Sequence, residues 1–317
     1  MEYTTLGGSD VRVSRIGIGL WQASEAWKGD DEEIIGAVER AQGLGVNLVD
    51  TAEEYGNGHS ESVLGEALKR LGRDNFVIAT KVYGAHLRYD ELQRAALASM
   101  KRLGVSEIDL YQVHWPDPWE QIPLKETMKA LERLYLEGKI RAIGVSNFAV
   151  RDLEEARSHL SRTDIVSNQV KYNLLQRNIE EEVLPYAKKN HISILAYSPL
   201  AQGALTGKYK RGAVPRGDFR ARSPLFAPAN IAQISRLTGV LSSVGRKHGC
   251  SASQVALNWL ETIPGVIPIP GAKNAAQAFE NASSMEIELS RRDLSLIERA
   301  SRQVRIDYLP DQWPHRS

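Results

Sequence analysis

Phe76-Val77-Ile78-Ala79-Thr80-Lys81 is a run of apolar and β-branched residues that stops on a lysine. A short apolar run of this kind reads as a strand buried on both faces. Outward from it the same grammar repeats: Ile16–Leu20, Asn47–Asp50, Val77–Lys81, Asp109–His114, Ala142–Ser146, Ile165–Gln169, Ile192–Tyr197 and Val266–Pro270 read as eight strands. Between them apolar residues recur at helical spacing, as in Ile34, Ile35, Val38, Ala41 and Leu44, or Met128, Leu131, Leu134 and Tyr135. Several of these stretches meet glycine where a helix should stop: Gly43 and Gly45, Gly72, Gly104, Gly138.

Eight strand–helix units in 317 residues predict an α/β fold, a TIM (β/α)8 barrel forming one domain over residues 1–317. A doubly wound dinucleotide-binding sheet is the competing architecture. Gly17 and Gly19 are followed by Trp21 rather than by a helix opening, so the glycine fingerprint of that fold is missing. Before the first strand, Tyr3–Leu6 and Val11–Val13 flank Gly7, Gly8, Ser9 and Asp10 and predict a hairpin that plugs one end of the barrel. After the seventh strand, residues 206–230 read as a long irregular loop rich in glycine, proline and basic side chains, a length that is usually either functional or disordered.

Charge and composition remove several functions. Forty basic against thirty-nine acidic residues leave a net charge of +1 without a basic stripe, which argues against a nucleic-acid partner. No apolar run is long enough to span a membrane, and Met1–Asp10 lacks the basic flank and apolar core of a secretory signal. The single cysteine, Cys250, forms no internal disulfide and reads as a small buried residue at a helix start; no zinc-site spacing occurs. The expectation is a cytoplasmic protein with no metal and no membrane or nucleic-acid partner, of undetermined oligomeric state.

What the strands end on is the informative pattern. Strand two ends in Asp50, three in Lys81, four in His114, five in Ser146 and Asn147, six in Asn168 and Gln169, seven in Tyr197. Each alone has a plain explanation, as a turn cap, a snorkelling lysine or a hydrogen-bonded core residue. In a parallel barrel, however, all these ends lie on one face, where barrel enzymes hold their active sites. A buried lysine needs a partner, which Asp50 supplies, and a charged Lys81 would lower the pKa of a nearby phenol. Tyr55, on the glycine-flanked loop after strand two, is the candidate phenol and proton donor.

Val49-Asp50-Thr51-Ala52-Glu53-Glu54-Tyr55-Gly56, then Ser60-Glu61 and Leu64-Gly65-Glu66-Ala67-Leu68, together with Lys81 and Asp109-Leu110-Tyr111-Gln112-Val113-His114-Trp115-Pro116, resemble the aldo-keto reductases in order and spacing. The resemblance implies NADP(H), with NAD possible, lying across the open face of the barrel. It implies a catalytic set of Asp50, Tyr55, Lys81 and His114, acting by hydride transfer to a carbonyl that Tyr55 protonates. By position, Ser146, Asn147 and Gln169 would bond the nicotinamide carboxamide and Tyr197 would stack on its ring. Ser198, Pro199, Leu200, Gln202, Gly203 and Lys208 would follow the pyrophosphate. Gly271, Ala272, Lys273, Gln277, Glu280 and Asn281 resemble the adenosine site. Lys273 favours NADP, whereas Gln277 stands where many members carry arginine.

The substrate expected is a small aldehyde or ketone, including sugar-like or aromatic ones, reduced reversibly. Trp21, Tyr55, Tyr83, His114 and Trp115, with Trp27 and the tail around Tyr308, Trp313 and Pro314, are its candidate lining. The 206–230 loop resembles the cofactor-clasping loop of the branch that includes potassium-channel β-subunits and bacterial general-stress reductases, and is expected to order on cofactor binding. Two other readings stand beside the reductase: a cofactor-binding regulatory subunit with slow turnover, and a lyase or epimerase barrel using no nicotinamide.

Overall fold

The computed structural model describes residues 1–27, 29–209 and 219–306. An antiparallel hairpin, β1 (Tyr3–Thr5) and β2 (Arg12–Ser14), precedes eight parallel strands in sequential order: β3 (Ile18–Gly19), β4 (Leu48–Asp50), β5 (Val77–Val82), β6 (Ile108–Val113), β7 (Ile140–Ser146), β8 (Ile165–Lys171), β9 (Ser193–Tyr197) and β10 (Val266–Pro268). The Gly17 and Gly19 amides donate to the Pro268 and Pro270 carbonyls at 2.9 and 3.0 Å, joining the first barrel strand to the last. The sheet therefore closes into a (β/α)8 barrel. The first and last barrel strands are shorter than the runs that predicted them, because Trp21–Ala23 turns into a 3₁₀ helix and the chain leaves the ladder after Pro268.

The outer layer is α1 (Asp31–Gly43), α2 (His59–Leu71), α3 (Tyr89–Leu103), α4 (Leu124–Leu136), α5 (Val150–Ser158), α6 (Val183–Lys189), α7 (Pro228–His248), α8 (Ala252–Glu261), α9 (Ala275–Ala282) and α10 (Arg291–Gln303). Their starts are written locally: Asp30, Ser251, Asn274 and Ser290 each accept a first-turn backbone N–H. Gly104 and Gly249 take left-handed conformations that end α3 and α7, as a C-terminal glycine does. The end of the expected 206–230 loop is more ordered than its composition suggested. Short 3₁₀ turns occupy Phe219–Arg222 and Pro224–Phe226, and α7 begins at Pro228, whose missing N–H costs a first helical position nothing. Residues 210–218 and the tail residues Tyr308, Trp313 and Pro314 lie outside the described residues.

Two apolar clusters follow from strand alternation. Outward-facing strand residues such as Val49, Ile78, Tyr111 and Ile143 pack under the helices. Inward-facing Leu48, Ala79, Leu110, Ala142, Leu195 and Ile267 fill the barrel and are joined by Leu6, Val11 and Val13 of the hairpin. The hairpin thus seals the end at which the strands begin. Gly7, at φ +55°, lies so close that a Cβ would run into the Val166 and His191 carbonyls. With that end stoppered by apolar side chains, the polar ends of the strands are left at the opposite mouth.

Candidate active site

Lys81 lies inside the barrel with no solvent exposure, and its ammonium spends all three protons. Nζ donates to Asp50 Oδ1 at 2.6 Å, to the Thr51 carbonyl at 2.8 Å and to Tyr55 Oη at 3.3 Å. Asp50 Oδ2 accepts from the amides of Gln112 at 3.1 Å and Gln169 at 2.8 Å. A buried ion pair is tolerated only when its remaining hydrogen-bonding capacity is used, and here residues from four strands use it. Gln112 escaped the sequence reading, although it sits two residues before His114 and so shares its face of the strand.

Tyr55 is carried by the loop between β4 and α2, which is gripped from beneath. Arg102 of α3 bonds Glu61 Oε2 through Nε at 2.6 Å and approaches Glu53 to 3.9 Å, while Thr80 donates to Glu61 Oε1 at 2.6 Å. The Tyr55 ring meets His114 nearly edge-on, centroids 5.6 Å apart, and Trp21 lies 6.4 Å away on another side. Nδ1 of His114 is 3.0 Å from Glu54 Oε2, but the approach is too oblique for a hydrogen bond.

A cleft of about 350 Å³ opens beside Tyr55 and Asp50. Gly19, Gln169 and Tyr197 form its floor; Ser198, Pro199, Leu200, Gln202, Gly203 and Lys208 form one wall; Gly271, Lys273, Gln277, Glu280 and Asn281 form the other. Two observations suit an elongated polar ligand. The buried Oε1 atoms of Gln22 and Gln202, both in the lining, have no hydrogen-bond partner among the described residues. Gly271 is packed so closely that any side chain there would strike Gln22. At the far end, Arg220 and Lys273 both lie over the Trp27 ring, 4.8 and 5.0 Å from its centroid, and Lys273 Nζ donates to the Trp27 carbonyl at 3.1 Å.

Several expected cofactor residues sit behind the cleft rather than in its lining. Ser146 Oγ donates to the Gln169 carbonyl, and Asn147 bonds the His114 carbonyl and Ser146 while accepting from Tyr197 Oη at 3.1 Å. Ala272 is fully buried. Glu280 and Gln277 stay in the lining but are engaged there, Glu280 accepting from Ser251 at 2.6 Å and Gln277 accepting the Lys273 amide at 2.9 Å. Among the substrate candidates, Trp21 and Tyr55 reach the cleft; His114, Trp115 and Tyr83 lie outside its lining, and Tyr83 is exposed against His86. Gln22, Tyr209, Arg220 and Ser253 line the cleft without having been singled out. For Arg220 a signal existed in the basic character of the 206–230 segment.

The aldo/keto reductase family model matches residues 15–302 of this chain. The chain belongs to the aldo-keto reductase family. An aldo-keto reductase of Bacillus subtilis is 38% identical over 291 residues, covering 87% of this chain and 86% of the relative. An NADH-specific methylglyoxal reductase of Escherichia coli is 34% identical, with 94% and 97% covered. Among solved structures, an aldo/keto reductase from Klebsiella pneumoniae in complex with NADP and acetate aligns with a TM-score of 0.76 at 31% identity, over 94% of this chain and 95% of that one.

The electrostatics of this aldo-keto reductase correct one expectation. Lys81 does pull the Tyr55 phenol downward, but burial is the larger effect and the net pKa lies above the usual 10. Burial likewise opposes the Lys81 charge, yet Asp50 and Tyr55 together outweigh it and raise the ammonium. His114 is pushed below the usual imidazole range, chiefly by burial with help from Lys81, against an upward pull from Glu54. At neutral pH the three groups are a protonated phenol, an ammonium and a neutral imidazole.

Proposed function

We propose that this protein reduces small aldehydes and ketones, sugar-like and aromatic ones included, to alcohols with NADPH, and runs in reverse when the oxidised cofactor dominates. The observation that carries the reading is the Tyr55 phenol held protonated 3.3 Å from a fully buried ammonium, at the open mouth of the barrel and beside the elongated cleft. The nicotinamide cofactor, when bound, supplies the hydride. Tyr55 gives its phenolic proton to the carbonyl oxygen as negative charge grows there. Lys81 supports the phenolate left behind, and Asp50, fixed by Gln112 and Gln169, keeps Lys81 charged and aimed. His114 orients the carbonyl.

Gln169, Tyr197 and the Ser198–Gly203 wall would hold the nicotinamide half and pyrophosphate, with Ser146 and Asn147 bracing Gln169 and Tyr197 from behind. Lys208 and Arg220 would meet the phosphates. Lys273, with Gln277, Glu280 and Asn281, would take the adenosine end. Lys273 supports NADPH as the preferred cofactor, since a phosphate dianion calls for a charge-assisted donor. Gln277 is uncharged and its Oε1 accepts the Lys273 N–H, so no second charge-assisted donor stands there and NADH remains usable, as it is for the Escherichia coli relative.

The test is consumption of NADPH and of NADH against a panel of aldehydes, ketones and sugars, with Tyr55→Phe alongside the parent enzyme. The expected result is turnover that favours NADPH and falls by about 10²–10⁴-fold in the variant, the usual share of a general acid. Undiminished turnover in Tyr55→Phe would remove the phenol from the mechanism.

A further inference from the structure

One carboxylate at the reacting centre has no role in the chemistry above. Glu54 precedes Tyr55 on the same loop, its side chain is 41% exposed, and its Oε2 stands 3.0 Å from the His114 ring. The other carboxylates nearby face fixed cations: Asp50 meets Lys81 at 2.6 Å, and Glu53 meets Arg102 at 3.9 Å. No lysine or arginine among the described residues comes within 4.0 Å of Glu54. Its histidine neighbour supplies no compensating charge at neutral pH, because burial holds that imidazole neutral.

Among the described residues, the lysine and arginine side chains that line the cleft stand elsewhere. Lys273 and Arg220 sit on Trp27 at the far end of the cleft, and the Trp27 and Trp21 rings, 5.7 Å apart, stand between them and Tyr55. Among the described residues the mouth is thus polarised, positive where phosphates would lie and negative beside the phenol and imidazole.

We infer that Glu54 selects substrate by charge, admitting neutral and cationic carbonyl compounds and disfavouring those with a carboxylate next to the reacting carbonyl. The inference rests on the reductase reading and specifies its substrate class. An aldehyde held between Tyr55 and His114 would bring an adjacent carboxylate within several ångströms of Glu54. At the edge of a protein, where screening is partial, a unit charge at that distance is worth about tenfold in a rate or binding ratio.

Methylglyoxal and glyoxylate make the comparison, since each carries an aldehyde, joined in the first to a neutral acetyl group and in the second to a carboxylate. The readout is the ratio of their kcat/KM values with saturating NADPH at low ionic strength, for the parent enzyme, Glu54→Gln and Glu54→Lys. The parent should favour methylglyoxal, Glu54→Gln should shrink that preference about tenfold whatever it does to the absolute rates, and Glu54→Lys should shrink it further. Added salt should narrow the parent's preference but not that of Glu54→Gln. A ratio that stays within twofold of the parent's in both variants overturns the inference. Failure of the parent enzyme to turn over any carbonyl compound would instead overturn the reductase reading and, with it, what rests on it.

Discussion

At the scale of single residues, the direction in which Tyr55 is shifted decides how the enzyme should respond to pH. Its phenol lies above the usual 10 because burial outweighs the pull of Lys81. On the proposed mechanism, reduction needs the protonated phenol, which is then present throughout the neutral and mildly alkaline range. Oxidation needs the phenolate as proton acceptor, and its fraction grows with every step of pH up to that raised pKa. For a small alcohol with oxidised cofactor, kcat/KM should therefore keep climbing from pH 7 to pH 10 while reduction gains nothing. Initial rates across that range decide the matter, and a plateau in oxidation by pH 8 would mean that the phenol titrates far lower. The same residue shows the reach of sequence reading: that Lys81, Asp50 and Tyr55 converge is written in which strand ends carry them. The sign of the shift is not, because it depends on how much protein surrounds the hydroxyl.

At the scale of elements, the loop bearing Tyr55 is positioned by α3, its partner across α2. Gly58, at φ +88°, ends that loop directly over Arg102, and a Cβ there would stand 2.5 Å from Arg102 Cδ and 2.6 Å from Nε. Gly58→Ala would incur the left-handed backbone strain of about 1–2 kcal/mol and would also push Arg102 away from the buried Glu61. The expected result is a kcat lowered tenfold or more, since small displacements of a catalytic group are costly, with the affinity for cofactor kept because the cleft walls belong to other elements. Stopped-flow turnover and a cofactor fluorescence titration separate the two. An unchanged kcat would show that Arg102 does not hold the loop in place. This support was illegible in the sequence because Arg102 and Glu61 belong to successive helices, each reading as an ordinary charged residue at a helical position, and only the packing of α2 on α3 brings them together. Helix ends such as Gly72 and Gly104 were legible, being set by neighbours in the chain.

At the scale of the molecule, the segment before β3 is fastened to the end of α8 beside a buried carboxyl that titrates. Arg15, just before β3, donates to the backbone carbonyl of Glu261 at the end of α8, and the buried Glu261 carboxylate accepts from Ser284 at 2.7 Å. Burial raises that carboxyl from the usual 4.5 to about 7. A raised folded-state pKa adds stability that is fully present below pH 4.5 and is lost as pH rises through about 7, an amount of roughly 3 kcal/mol at most. Glu261→Gln keeps an acceptor for Ser284 and cannot ionise. It should melt at a higher temperature than the parent at pH 8 and close to it at pH 5, and equal melting at pH 8 would argue against a neutral carboxyl in the fold. The closed barrel itself could be read from eight repeated runs, whereas its last fastening could not: Gly17 and Gly19 bond Pro268 and Pro270 across some 250 residues of chain. That seam orders events during synthesis. The barrel cannot shut until residue 270 has left the ribosome, and until then β3 and the newest finished strand present open edges to their surroundings. Gly19 and Gly271, which flank the seam, both line the cleft. Whatever molecule fills it lies across the join like a clasp, so that the protein's last act of folding and its first act of binding engage the same two edges.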